Sequence, residues 1–61
     1  MNGKKLKHIL VEKDVQQKEL AEAAGVSEPY ISAVINGYKV PSVAVLKAIA
    51  DRLEIKVDEL L

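Results

Sequence analysis

The sequence predicts an all-α domain built from four or five short helices. Three observations carry this: apolar residues recur at i, i+3, i+4 spacing, short polar or glycine breaks separate those stretches, and no alternating strand pattern or internal repeat competes. Sixty-one residues make one domain, spanning 1–61, with no room for a second core. A domain this small buries only about 60% of its unfolded surface, so its stability is modest. The absence of cysteine excludes a disulfide framework and a thiolate metal site, which is compatible with a reducing compartment. No apolar run approaches the roughly 18 residues of a membrane span, so a soluble cytoplasmic protein without membrane contact is expected.

The first helix is predicted from Asn2 or Gly3 to Lys13, with Leu6, Ile9 and Leu10 as its buried stripe. Lys4, Lys5 and Lys7 crowd its N-terminal half, where the helix dipole disfavours cations, and a phosphate partner would explain them. His8 is the only histidine and has no second ligand near it in sequence, which makes it a surface residue rather than a metal ligand or catalytic base. Asp14-Val15 connects to a second helix that opens at Gln17 and places Leu20, Ala21 and Ala24 on one face. Gly25 breaks that helix because it accepts the positive φ of a sharp turn, and Val26 turns inward. Ser27 caps a third helix, whose first turn tolerates Pro29. Two short helices across a tight glycine turn form a helix-turn-helix motif at about residues 17–36.

The third helix separates its faces. At about 100° per residue, Tyr30, Ile31, Val34 and Ile35 fall on one arc, and Glu28, Pro29, Ser32, Ala33 and Asn36 on the other. After Gly37, Tyr38 to Pro41 form a loop, and Ser42 caps a fourth helix that buries Leu46, Ile49, Ala50 and Leu53. Val57 to Leu61 supply a last turn or two, with acids suited to its N-terminus.

The stretch QKELAEAAGVSEPYISAVING, with Lys39, Pro41 and Ser42 beyond it, resembles the lambda-repressor-like (Cro/CI, XRE) helix-turn-helix family. The shared pattern runs through Gln17, Leu20, Ala21, Gly25, Val26, Ser27, Ile31, Ser32, Asn36 and Gly37. The resemblance implies a compact four- to five-helix fold and a sequence-specific, DNA-binding transcriptional regulator that sets helix 28–36 in the major groove of a pseudo-palindromic operator. It implies phosphate contacts from Gln17, Lys18, Tyr30, Asn36, Gly37 and Lys39, in which backbone N–H groups near Asn36-Gly37 and the Lys39 ammonium form a clamp. Gly37 also reads as a structural cap, and Tyr30 either reaches a phosphate or closes the core edge.

Base reading then falls to Ser27, Glu28, Pro29, Ser32 and Ala33. Recognition helices usually present bidentate Arg, Lys, Gln or Asn donors, and these five positions carry none. Methyl contacts from Pro29 and Ala33, a hydrogen bond from Ser32 and acceptance by Glu28 from a cytosine amine remain, alongside readout of DNA shape. Ile55, Leu60 and Leu61 are candidates for a weak homodimer contact. Duplex DNA is the expected partner, with no cofactor, metal or small-molecule substrate, and an enzyme is not expected. The alternative on the same fold is a protein-interaction module, antitoxin-like or antirepressor-like, which the zero net charge favours. That zero is unevenly spread: residues 1–13 carry plus three (four Lys, one Glu), 14–50 minus one (three Lys, four acids) and 51–61 minus two (one Arg, one Lys, four acids), which also suits a plain solvated surface.

Two positions depart from the family pattern. Leu10 and Ile35 stand where members commonly pair an Arg with a Glu, and joint replacement by apolar residues predicts that these two side chains meet. Glu54 stands where the family usually has Gly, so either Glu accepts positive φ at a cost of roughly 1 kcal/mol or the turn takes another shape.

Overall fold

The computed structural model describes residues 1–61 and contains four helices followed by a single 3-10 turn: α1 (Gly3–Lys13), α2 (Gln17–Ala24), α3 (Glu28–Ile35), α4 (Val43–Leu53) and the turn Val57–Leu60. Side-chain caps start three of the helices. The Asn2 Oδ1 accepts from the Lys5 N–H, the Ser27 Oγ from Tyr30 and the Ser42 Oγ from Val45, each at 3.2 Å. In the terminal turn the Glu59 carboxylate accepts from the Lys56 N–H at 3.0 Å. Only α2 begins without a side-chain cap, since Gln16 stands at its N-cap and makes no such bond.

All four helices are closed in the same way, and in three of them a half-buried apolar residue completes the turn. Val15 donates to the Leu10 carbonyl at 2.9 Å, Val26 to Ala21 at 3.0 Å and Ile55 to Ala50 at 3.0 Å, with the residue before each donor in the left-handed region: Asp14 (φ 56°), Gly25 (φ 71°) and Glu54 (φ 56°). These are Schellman endings, in which a half-buried apolar residue follows the left-handed one and packs back on the helix. Glu54 therefore takes the conformation that glycine would take, and the turn keeps its shape despite the Cβ. Glu54→Gly is accordingly expected to raise stability by about 0.5–1 kcal/mol in urea denaturation, the relief of left-handed strain less the entropy of a freer unfolded chain. The gain from Asp14→Gly should be smaller, because Asp tolerates this conformation better. A loss at Glu54 would show that its side chain contributes something the backbone geometry does not reveal.

Every element contributes to one core of 11 buried residues: Leu6 and Leu10 from α1, Leu20 and Ala21 from α2, Ile31, Val34 and Ile35 from α3, Ile49, Ala50 and Leu53 from α4, and Leu60 from the terminal turn. Ile9 and Leu46, predicted as core, are half-buried at its margin. Leu10 and Ile35 belong to this same cluster. The backbone of α1 lies close against α3 at Gly3, where a Cβ would collide with the Ile35 carbonyl, so glycine is required by that approach.

One expectation is overturned at the end of the chain. Leu60, a candidate for a homodimer contact, is 0% exposed and so not available to a partner, and its carbonyl accepts a hydrogen bond from the Asn2 N–H at 3.0 Å. A one-turn 3-10 helix aims Leu60 inward and leaves Leu61 outside, 66% exposed, with Ile55 half-buried. No helix is long and apolar enough to cross a membrane.

Candidate nucleic-acid interface

α3 is anchored along one side and open along the other. Ile31, Val34 and Ile35 are buried, Tyr30 is half-buried against the core, and Ser27, Glu28 and Pro29 at the N-terminal end are exposed. Ser32 and Ala33 are half-buried. The most accessible part of the proposed reading face is thus its first turn, where Ser27 holds the backbone and Pro29 fixes φ.

At that end α3 meets the start of α2. Gln17, Lys18 and Glu28 line one open cleft, together with Lys7 and Leu10 of α1. Because no side chain caps α2, its first backbone N–H groups remain free beside Gln17 and Lys18, and such groups with a helix dipole behind them suit an anion. Lys7 and Lys18 share the cleft with two carboxylates, Asp14 and Glu28, so its charged lining sums to zero.

At the other end the structure revises how a phosphate clamp would work. The N–H of Asn36 donates to the Ser32 carbonyl at 3.0 Å, that of Gly37 to Val34 at 3.2 Å, and those of Tyr38 and Lys39 to Ala33 at 2.8 and 3.3 Å. The backbone donors expected to bind phosphate are therefore engaged in closing α3. Gly37, at φ 82°, makes that closure possible. What remains for an anion is side-chain chemistry. The Asn36 amide donates to the Ser32 carbonyl at 2.9 Å, and more weakly to the Ser32 hydroxyl at 3.4 Å, which fixes both side chains at one end of the reading face.

Lys39 lies over the Tyr30 ring, with its Nζ 5.8 Å from the centroid. This is a cation–π pair worth about 0.5–1 kcal/mol at an exposed position. The Tyr30 ring thereby serves two surfaces: it packs on the core, and its face holds a cation. His8 is exposed and pairs with Glu12 one turn on, Nε2 to Oε1 2.8 Å, as a surface residue would. The chain contains no cluster of three or more His, Cys, Asp or Glu side chains placed to hold a metal ion.

A short helix buried along one side, presented by a preceding helix across a glycine turn, and flanked at both ends by cationic side chains, defines a helix-turn-helix domain. The helix-turn-helix family model matches residues 6–60, and the chain belongs to that family, in its lambda-repressor-like, XRE-type branch. Solved structures agree. The restriction-modification controller protein C.AhdI from Aeromonas hydrophila matches with a TM-score of 0.90 at 27% identity, over 97% of this chain and 89% of that one. The clp gene regulator ClgR from Corynebacterium glutamicum matches with a TM-score of 0.89 at 36% identity, over 95% of this chain and 63% of ClgR. SinR, the Bacillus subtilis master regulator of biofilm formation, matches in its complex with DNA, with a TM-score of 0.86 at 33% identity over 97% of this chain and 98% of that one. No curated protein sequence matches closely enough to count as a relative.

Proposed function

We propose that the chain is a sequence-specific DNA-binding transcriptional regulator, acting in the cytoplasm, that sets α3 in the major groove of a pseudo-palindromic operator. The observation that carries this is the exposure of Ser27, Glu28 and Pro29 on a helix whose opposite side is locked into the core, with Gln17 and Lys18 at one end and Asn36 and Lys39 at the other. Its kinship with SinR, solved on DNA, supports the same reading. Titration of duplex DNA at several salt concentrations tests it. Each neutralised phosphate should contribute about −0.9 to the slope of log K against log salt. A flat line would reject DNA binding and favour a protein-interaction module, for which the exposed apolar residues Tyr38 (84%), Val40 (89%) and Val43 (70%) are the available surface.

Within this reading Glu28 is a base-contacting residue. An acceptor at the entrance of the recognition helix matches the cytosine amine, and Lys7 and Lys18 in the same cleft moderate its repulsion of phosphates. Glu28→Gln is expected to weaken operator binding by about 1–3 kcal/mol and to relax preference at one base pair. Uniformly tighter binding to every sequence would instead assign Glu28 to the helix dipole alone.

Operator symmetry calls for two copies with recognition helices about 34 Å apart, so each lies about 17 Å from the dyad. Leu61 is 66% exposed and lines a cleft with Met1, Ile35, Asn36 and Gly37 at the C-terminal end of α3. We infer a weak homodimer contact through the exposed Leu61 and the half-buried Ile55. Sedimentation at rising concentration should show association that Leu61→Lys abolishes; a monomer at all concentrations, free and on DNA, would exclude this contact.

A further inference from the structure

We propose that α1 is part of the DNA-facing surface, with Lys4 and Lys7, but not Lys5 or Lys13, neutralising backbone phosphates on either side of α3. This rests on the chain being a DNA binder, and it names cations on an element that the helix-turn-helix motif itself does not include.

The placement comes from how α1 crosses α3. Gly3 lies against the carbonyl of Ile35, the last residue of α3, while Leu10, two turns further along α1, lines the cleft at Glu28, the first residue of α3. The two helices thus run in opposing senses, and each end of α3 has one α1 lysine beside it. Lys7 shares its cleft with Gln17, Lys18 and Glu28. Lys4 shares another with Asn36 and Gly37. Spaced i, i+3, the two lie on one face of α1. Lys5 lines neither cleft, and Lys13 lines clefts with Ile9, Glu12, Ile55 and Glu59 and with Arg52 and Glu54, away from α3.

No ion pair within the chain accounts for cations at these positions, although Asp14 and Glu28 line the cleft of Lys7. The first turn of α1 holds no acid, the helix dipole there repels positive charge, and the ion pairs His8–Glu12 and Arg52–Glu19 leave Lys4 and Lys7 unpaired. In a chain of zero net charge, local clustering of cations is what makes a polyanion site. The α1 lysines add to the cations near α3: Lys7 beside Lys18 at its start, where Asp14 and Glu28 line the same cleft, and Lys4 beside Asn36 and Gly37 at its end.

The test is a comparison of four variants that change net charge equally: Lys4→Gln, Lys7→Gln, Lys5→Gln and Lys13→Gln, with Lys4→Gln/Lys7→Gln combined. All four lysines are exposed, so each variant keeps the fold, which circular dichroism verifies. For duplex DNA, Lys4→Gln and Lys7→Gln should each make the slope of log K against log salt shallower by about 0.9, and the double variant by about 1.8, while Lys5→Gln and Lys13→Gln leave it unchanged. Equal changes in all four would reduce the effect to overall charge and overturn the proposal. Unchanged slopes for Lys4→Gln and Lys7→Gln, against a steep slope for the unaltered chain, would overturn it while leaving DNA binding intact. A flat slope for the unaltered chain would overturn the DNA-binding function and this proposal with it.

Discussion

Replacing Ile35 by glutamate is expected to cost about 3 kcal/mol or more and to leave the domain largely unfolded. Ile35 is 7% exposed at the end of α3, and α1 closes over it through Gly3, so a carboxylate there would be buried without a partner. A domain of this size has roughly 3–9 kcal/mol in total, at about 0.05–0.15 kcal/mol per residue, so the loss is comparable with the whole. Leu10 is buried in the same core, and adding Leu10→Arg should recover much of the loss by restoring the ion pair common in the family. Urea denaturation of the single and double variants measures the coupling. A double variant no more stable than Ile35→Glu would show that residue 10 does not reach residue 35.

Leu60→Ala should cost about 2–5 kcal/mol, whereas Leu61→Ala should stay within about 0.5 kcal/mol, although the two leucines are adjacent. The difference follows from burial: Leu60 is 0% exposed inside the core and Leu61 is 66% exposed. Because the loss at Leu60 is intramolecular, it should be the same at every protein concentration. A concentration-dependent midpoint that is lost in Leu60→Ala would instead make Leu60 part of a subunit contact. Equal effects of the two substitutions would contradict the inward aim of the terminal turn.

The helices and their caps were legible because they are set by local chemistry. Ser27 and Ser42 each precede an apolar periodicity and accept from the residue three along, and Gly25 marks a left-handed ending. Glu54 was legible only as a question. A Schellman ending depends on whether Ile55 can pack back on α4, and that packing overrides the preference of the residue before it. The fate of Leu60 was hidden for a similar reason. A single turn is too short to show a period, so the choice of which leucine points inward is made by the core it meets.

At the candidate site, the residue types were visible but their engagements were not. Asn36, Gly37 and Lys39 were identified as a clamp, yet whether their N–H groups are free depends on how the end of α3 closes, and it closes on them. The pairing of Tyr30 with Lys39 spans that same closure. Lys4, Lys5 and Lys7 looked like one basic run. Only the crossing of α1 over α3 separates the two that flank the recognition helix from the one that does not.

The hydrogen bond from Asn2 to the Leu60 carbonyl brings the two ends of this segment together, and that has a topological consequence. A short glycine-rich linker from Leu61 to Met1 would close the chain into a ring without displacing any helix. The ring could then be reopened at the exposed stretch from Tyr38 to Val40. The permuted order would begin with α4 and end with α3. Such a molecule would keep the core while placing both new termini beside the recognition helix, where fused segments could be brought directly to the edge of the groove.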